Sequence, residues 1–345
     1  SPTASATASP RPSAHPSPTP IGAFAATISG SVGYFSGEGP VPGVVVRAMG
    51  ASSSQALSDG QGAYHLQVLA PQAWRLEPVK SGDLGSGISA GDASCILRAV
   101  VGLSTLNDVE RLASDVSGNG TLSAIDASYL LQYRVGLLPR LPAATLCDSD
   151  WLFVPTPAPY QNQSIVLPTL GSACTMGAIT YQPLVGSTDR QDFVAALIGD
   201  CQGNWKPSGN GAGYSETPRL RWAERAVTRG LRVPLALTHE LASGGLEFEI
   251  EYDPAALIYR GLGRLKGARG SLLAVNARQP GKIRAALASP RPLPRGTLLV
   301  ALFDRPTSGG VSQLRVRVTP GSNGGSPSDN PRTTSGRPRW LSSEP

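Results

Sequence analysis

The oxygen-bearing side chains between Asp115 and Asp126 have the spacing of a cation-binding loop. Positions 1, 3, 5, 7, 9 and 12 carry oxygen and position 6 is glycine; in chain order the residues are Asp115, Ser117, Asn119, Gly120, Thr121, Ser123 and Asp126. Ca²⁺ is held by oxygens at this spacing, with glycine where the backbone turns sharply. The sequence therefore predicts a calcium site in residues 115–126, which we name the second loop.

The second loop leads into a segment that repeats an earlier one. Residues 92–103 return as residues 126–137, with seven of twelve positions identical. The loop before the earlier copy, the first loop (residues 81–92), has fewer oxygens: Ser81, Asp83 and Asp92 occupy positions 1, 3 and 12, and Gly85 occupies position 5. We expect calcium in the second loop and leave it open in the first. The alternative is a pair of Asx-type turns that cap two helices.

Each repeated segment has the apolar spacing of an amphipathic helix. The predicted core faces are Ala93, Ile96, Leu97 and Val100 in one and Ala127, Leu130, Leu131 and Val135 in the other. Two loop–helix units, each with aspartate at position 12 and an Asp-Ala-Ser helix start, resemble the dockerin family. The resemblance implies calcium ligands in the second loop and at Asp83 and Asp92. It also implies partner recognition at the helix starts, by Ala90, Gly91, Ala124 and Ile125.

The composition favours strands and turns. The 345 residues include 40 Gly and 31 Pro, and only 16% are charged. We therefore predict a mainly β, multidomain protein in which β-sandwiches flank a small helical unit. No apolar run is long enough for a transmembrane helix. The sequence starts at Ser1, which we interpret as an extracellular or cell-surface protein whose signal peptide has been removed.

The four cysteines, Cys95, Cys147, Cys174 and Cys201, lack the spacing of a metal site. In a secreted chain they predict up to two disulfides, for which three connectivities are possible. We favour Cys147–Cys174, which would close a proline-rich loop, and this choice leaves Cys95–Cys201.

The rest of the chain divides by composition. Residues 1–25, rich in Pro, Ser and Thr, are expected to be a linker or donor segment, and residues 321–345 a flexible tail. Strand-like runs fill residues 26–79, where the phrases at 40–46 and 58–64 resemble the carboxypeptidase regulatory-like module, a transthyretin-like β-sandwich. Residues 80–141 form the dockerin-like unit. Residues 142–218 are predicted to be a proline-rich connector that contains strands.

Residues 219–320 are predicted to form the last domain. Apolar residues alternate with Glu247, Glu249 and Glu251, which we interpret as a solvated strand face rather than a glycosidase acid/base pair. This strand with its Tyr-Asp-Pro ending, a Gly-Lys-Ile-Arg strand at 281–284 and a Gly-Thr-Leu-Leu strand at 296–299 resemble the cohesin family. The resemblance implies a jelly-roll-like β-sandwich that receives dockerins.

Catalytic patterns are weak, and an enzyme is not expected. The three histidines (His15, His65 and His239) suggest neither a metal site nor a catalytic pair. Residues 87–91 match Gly-x-Ser-x-Gly but lie in a loop with no buried strand before it. Residues 200–204 repeat the start of the second loop, Asp-x-x-Gly-Asn. Because Pro207 and the glycines after it prevent a following helix, we predict a turn there rather than a third calcium site.

Charge is divided unevenly along the chain. Residues 1–218 carry 10 Lys and Arg against 15 Asp and Glu, a net −5, and residues 219–345 carry 20 against 9, a net +11. Because the basic residues are scattered along strands and aromatics are few, we interpret the split as attraction between two protein surfaces rather than nucleic-acid binding.

Together these features predict a non-catalytic, calcium-stabilised subunit of an extracellular fibre or surface layer. A dockerin-like and a cohesin-like part on one chain imply head-to-tail binding of copies, which continues into a homopolymer unless it closes. Donation of residues 21–29 to a neighbour's sheet is a second route. The alternatives are a scaffold of a polysaccharide-degrading assembly, bound to another cohesin- or dockerin-bearing protein, and a non-catalytic fragment of a larger adhesin or enzyme.

Overall fold

The computed structural model describes residues 22–37, 39–85, 87–207, 218–227, 230–305 and 314–318. In these residues the chain forms eighteen strands and four α-helices, which confirms the prediction of a mainly β protein. The expected linker before residue 22 and the expected tail at 321–345 lie outside the described residues. Among the described helices, none combines the length and apolar character needed to cross a bilayer.

The first nine strands form two sheets that pack face to face. They are β1 Phe24–Tyr34, β2 Val45–Gly50, β3 Ser53–Leu57, β4 Ala63–Ala70, β5 Gln72–Val79, β6 Trp151–Pro155, β7 Gln163–Val166, β8 Ala178–Leu184 and β9 Phe193–Leu197. One sheet has the order β4-β1-β9-β6 and the other β3-β2-β5-β8-β7. Alternate residues of β4 are buried, as expected of strands with one face on a core. We name this body the N-terminal sandwich.

Both sheets combine strands from two distant parts of the sequence. The segment predicted as a connector, residues 142–218, supplies β6 to β9, and β9 lies beside β1 in parallel with Val32 opposite Phe193. Residues 26–79 therefore do not close a sandwich alone. The physical reason is that a strand pattern reveals a buried face but not the neighbouring strand, which long-range pairing decides.

The segment expected to be donated to a neighbour is already paired within its own chain. Along β1, Phe24 to Ser31 face Ala70 to Ala63 of β4 in antiparallel register. On the other side, the Ser29 N–H donates to the Thr188 carbonyl at 3.0 Å and the Thr188 N–H to the Thr27 carbonyl at 2.9 Å. Ile21 lies outside the described residues. Residues 24–29 are thus paired with β4, and from Thr27 onward the second edge of β1 is occupied as well, which corrects the strand-donation hypothesis for residues 24–29.

A helical unit, residues 80–150, is inserted between β5 and β6. Its helices are α1 Ala90–Val100, α2 Asp108–Ser114, α3 Ala124–Arg134 and α4 Pro142–Cys147. Capping boxes begin α1 at Ser89 and α3 at Ser123, because each serine and the aspartate three residues later satisfy each other's backbone N–H groups. The predicted core faces are buried except for Val100, which is 40% exposed.

Two disulfides join these parts, and both have the favoured connectivity. Cys147–Cys174 links α4 to the loop before β8. Cys95–Cys201 links α1 to the turn after β9 across 106 residues. The helical unit is therefore tied covalently to the N-terminal sandwich at two points besides its chain ends.

The C-terminal sandwich also has two sheets. Its strands are β10 Leu220–Trp222, β11 Arg225–Val227, β12 Gly230–Leu237, β13 Gly245–Tyr252, β14 Ile258–Arg264, β15 Leu272–Asn276, β16 Lys282–Ala288, β17 Gly296–Asp304 and β18 Leu314–Val318. One sheet has the order β10-β12-β17-β14 with β11 on β12, and the other β15-β16-β13-β18. Their facing residues, including Val233, Phe303, Phe248 and Ile283, form a separate hydrophobic core.

Candidate cation loops and the helix–sheet contact

The second loop gathers its predicted oxygens around two aspartates. The Asp115 carboxylate accepts hydrogen bonds from the Ser117 hydroxyl at 3.1 Å and the Gly120 N–H at 2.6 Å. Asp126 accepts from the Ser117 N–H at 2.9 Å, so the first and last loop positions both bond Ser117. Glycine at position 6 has φ +82°, in the left-handed region that the sharp turn requires.

The donor set of the second loop suits a hard cation. Asp115 and Asp126 are buried, and among the described residues no lysine or arginine forms an ion pair with either. Burial raises the pKa of Asp115, against hydrogen bonds that lower it. The oxygens of Ser117, Asn119 and Thr121 are neutral, and the Asn119 amide oxygen accepts from the Thr121 hydroxyl at 2.7 Å. Two carboxylates with amide and hydroxyl oxygens form a set that Ca²⁺ binds.

The first loop has a different arrangement. The Asp83 carboxylate lies 3.0 Å from Lys80 Nζ, a buried ammonium, and the Asp83 carbonyl accepts the Trp205 indole N–H at 2.7 Å. A second indole, that of Trp151, donates to the Gly82 carbonyl at 2.9 Å. These bonds hold residues 82–83 against the N-terminal sandwich. Asp83 is thus engaged by a cation of the protein itself.

Asp92, at the end of the first loop, faces Asp200 in the turn after β9. Burial raises the pKa of Asp92 well above the usual value of an aspartate, and the neighbouring Asp200 carboxylate raises it further. Burial also raises the pKa of Asp200, against a hydrogen bond from the Tyr34 hydroxyl at 2.5 Å. Within the described residues, no group of three or more His, Cys, Asp or Glu side chains is placed to hold a metal ion. Any cation here would need neutral oxygens as well.

Helices α1 and α3 lie on one sheet of the C-terminal sandwich. The contacting strands, β13, β15 and β16, form what we name the docking face. Three of its outward side chains are small: Ala274, Ala286 and Ala288 are buried in the same hydrophobic cluster as the helices. Small side chains let helix and sheet backbones approach closely.

A buried ion pair lies within this contact. Arg134 at the end of α3 donates from Nη2 to Glu247 Oε2 at 2.8 Å and from Nε to Oε1 at 3.0 Å. The side chains of Arg134 and Glu247 are 14% and 8% exposed. The Ala90 N–H, at the start of α1, donates to the same carboxylate at 2.6 Å. Glu247 therefore binds both helices, which corrects its interpretation as a solvated residue.

The predicted partner residues differ in their exposure. Ala90 and Gly91 are buried against β13, whereas Ala124 and Ile125 are exposed. Arg134 and Asn276 were not among the predicted partner residues; the Asn276 amide donates to the Val135 carbonyl at 2.8 Å. No local pattern marks them, because each partner lies more than a hundred residues away. The ion pair also opposes the net charges, since its arginine comes from the acidic half of the chain.

Gly245 in β13 is expected to tolerate no side chain. A Cβ built there would lie 2.3 Å from the Gly91 nitrogen and 2.4 Å from the Ala90 carbonyl carbon, both backbone atoms of α1. Gly245→Ala should lower the free energy of unfolding by about 1–3 kcal/mol, the usual range for overpacking, and should speed amide exchange at the start of α1. Gly261→Ala is the matched control, because a Cβ there meets nothing within 4 Å. Equal effects of the two variants would contradict the close approach of α1 and β13.

Comparisons with known proteins identify structural neighbours only. No family model matches the chain, and no curated protein sequence matches it. A type I cohesin from Pseudobacteroides cellulosolvens matches with 15% identity and a TM-score of 0.25 over 29% of this chain and 73% of that one. A non-cellulosomal cohesin from Archaeoglobus fulgidus matches with 14% identity and a TM-score of 0.25 over 30% and 78%. The cohesin module of a Clostridium perfringens family 33 glycoside hydrolase matches with 13% identity and a TM-score of 0.24 over 30% and 97%.

Proposed function

We propose that this chain is a non-catalytic extracellular structural protein whose dockerin-like helical unit binds its cohesin-like C-terminal sandwich, both within one chain and between copies. Calcium in the second loop, held by Asp115, Ser117, Asn119, Thr121 and Asp126, orders α3 for this contact. The N-terminal sandwich, whose residues 26–79 resemble the carboxypeptidase regulatory-like module, is an accessory body that carries the helical unit.

The contact of α1 and α3 with the docking face is the observation that supports this function. It combines a buried bidentate Arg134–Glu247 pair, an alanine-rich surface and a close backbone approach at Gly245. Buried charge pairs with matched hydrogen bonds give an interface its register and discriminate against wrong partners. Two such surfaces on one chain serve association rather than catalysis. The two disulfides support an oxidising, extracellular location.

Exchange of the contact between chains would build an assembly. Among the described residues, all strands up to Leu197 lie in the N-terminal sandwich and all from Leu220 onward lie in the C-terminal one. A single covalent connection, residues 206–219, therefore joins the two bodies. Fourteen residues can span up to about 50 Å when extended, which allows the C-terminal sandwich of one copy to bind the helices of another. Reciprocal exchange gives a closed dimer, and sequential exchange gives the head-to-tail fibre.

Complementary charge reversals test this proposal in the full chain. Arg134→Glu places two glutamates opposite each other in the helix–sheet contact, and Glu247→Arg places two arginines there. Each variant should therefore lose its internal contact and remain a monomer. When the two variants are mixed, Arg134 of the Glu247→Arg chain can face Glu247 of the Arg134→Glu chain. The other contact of the same dimer then holds a glutamate at position 134 against an arginine at position 247. Analytical ultracentrifugation in calcium should then detect a species of twice the 35.7 kDa chain mass.

The mixture also separates the alternatives. If it stays monomeric while the double variant Arg134→Glu/Glu247→Arg regains its internal contact, association by exchange is contradicted. Capture of a foreign dockerin by the Arg134→Glu chain, without dimers in the mixture, would instead favour the scaffold function. Loss of the mixed dimer on adding a chelator is expected if calcium orders α3.

A further inference from the structure

The turn after β9 reproduces the hydrogen bonds of the second loop around its first aspartate. Asp115 accepts from the backbone N–H groups four and five residues later, at 3.2 and 2.6 Å. Asp200 accepts from the N–H groups four and five residues later, at 3.1 and 2.8 Å. The glycine three residues after each aspartate has a left-handed backbone, with φ +73° at Gly118 and +67° at Gly203.

The closing aspartates correspond as well, although one closes its own loop and the other a distant turn. Asp126 accepts from the N–H two residues after Asp115 at 2.9 Å, and from the N–H and hydroxyl of the serine three residues before it. Asp92 accepts from the N–H two residues after Asp200 at 3.1 Å, and likewise from the serine three residues before it. The turn therefore bonds the aspartate in the first turn of α1 in the same way that the start of the second loop bonds the aspartate in the first turn of α3.

We propose that Asp200, Gln202 and Asn204 of this turn, together with Asp92 of α1, form a second calcium site whose two halves come from separate parts of the chain. The residues supply two carboxylate and two amide oxygens. This site differs from the one left open within the first loop, whose Asp83 is paired with Lys80. It does not depend on the exchange between chains proposed above.

An unpartnered oxygen at the turn points independently to a ligand. Asn204 Oδ1 is buried from solvent and accepts no hydrogen bond within the described residues. A buried amide oxygen without a partner costs roughly 1–3 kcal/mol, so such atoms call for a ligand or a water. Nδ2 of the same amide lies 3.5 Å from Gln202 Oε1. Gln202 Oε1 in turn lies next to Gly91, 2.8 Å from where its Cβ would be. The Gln202 amide oxygen thus reaches the start of α1.

The charge of the site also requires compensation. Asp92 and Asp200 are both fully buried. The donors that reach them are neutral, being backbone N–H groups, the Ser89 hydroxyl and the Tyr34 hydroxyl. No lysine or arginine of the described chain forms an ion pair with either. Two ionised carboxylates without a counter-charge are costly to bury, and either a shared proton or a divalent cation between them removes that cost.

The Cys95–Cys201 disulfide holds the halves of the site together. Cys95 lies three residues after Asp92, and Cys201 directly follows Asp200. The crosslink keeps the turn beside α1, so little chain entropy is lost when a cation joins them. A cation here would fasten α1 to the N-terminal sandwich, as calcium in the second loop would order α3.

Terbium, a luminescent substitute for Ca²⁺, distinguishes the two sites in the full chain. We name the site formed by Asp92, Asp200, Gln202 and Asn204 the split site. Trp205 follows Asn204 and donates its backbone N–H to Asp200 at 2.8 Å, so its indole should sensitise terbium bound there. Asp200→Asn should weaken terbium binding there at least about 100-fold and so abolish the sensitised signal. Loss of a residue that only supports a metal ligand weakens binding by no more than about 100-fold. Asp189→Asn, an exposed charge-matched control, should retain it.

Calcium calorimetry completes the test. We expect two binding equivalents in the unaltered chain, one in Asp200→Asn, and one in Asp115→Asn with the tryptophan-sensitised signal retained. An undiminished terbium signal in Asp200→Asn would overturn the split site. A single calcium equivalent in the unaltered chain that Asp115→Asn removes would overturn it too, and would favour two aspartates that share a proton. If Asp200→Asn fails to fold by circular dichroism, Asn204→Ala replaces it, and undiminished binding in that variant likewise overturns the site.

Discussion

Glu247→Ala is expected to destabilise the helix–sheet contact by about 3–5 kcal/mol, the range for breaking a buried ion pair. The substitution removes the carboxylate that faces the buried Arg134 guanidinium and leaves the Ala90 N–H without its acceptor. Denaturant unfolding, followed with hydrogen exchange in α1 and α3, measures the loss. We expect both helices to exchange faster, because Glu247 binds both.

Two controls separate this effect from a general loss of charge. Arg260 and Asp304 form a pair of 2.6 Å on the same sandwich, but their side chains are 57% and 45% exposed. Asp304→Ala should therefore cost no more than about 1 kcal/mol. The double variant Arg134→Leu/Glu247→Leu should recover the part of the loss that comes from the unpaired guanidinium, since apolar residues often replace a buried pair without loss, whereas the Ala90 N–H still lacks its acceptor. A loss after Glu247→Ala no larger than after Asp304→Ala would contradict the buried pair as an anchor.

Replacing Cys95 and Cys201 by serine is expected to lower the free energy of unfolding by roughly 4.5–5 kcal/mol. The disulfide closes a separation of 106 residues, and the entropy removed from the unfolded chain grows with the logarithm of that length. The same substitution of Cys147 and Cys174, which are separated by 27 residues, should cost only about 3.5 kcal/mol. Denaturant unfolding of both variants in calcium measures the difference.

The longer crosslink should also matter for cation binding. Loss of Cys95–Cys201 frees the turn after β9 from α1, so the tryptophan-sensitised terbium signal should weaken. Loss of Cys147–Cys174, which lies outside both cation loops, should leave that signal unchanged. A greater loss of stability or of signal on removing the shorter crosslink would contradict this account.

Much of the secondary structure could be predicted from the sequence because it depends on neighbours along the chain. The apolar spacing of α1 and α3, and the alternation in β4 and β13, each concern fewer than a dozen residues. Capping of α1 by Ser89 and of α3 by Ser123 is local in the same way. The oxygen spacing of the second loop was likewise readable, and its two aspartates both bond Ser117.

Other features required the tertiary structure. The alternation around Glu247 indicates which face it shares but not what covers that face, and α1 and α3 cover it from more than a hundred residues away. Strand patterns at 151–154 and 178–181 did not reveal that these strands complete the sheets of residues 24–79.

The same limit applies to the cation sites. The sequence by itself determined local geometry: helices, strand faces, one complete oxygen loop and a choice of disulfides that the structure confirms. Only the tertiary structure decided which surfaces meet. The turn at Asp200 has the spacing of half a loop, and folding brings it beside Asp92, 108 positions earlier in the sequence. Local spacing is encoded in adjacent residues, whereas partnership across the chain results from the burial of whole surfaces.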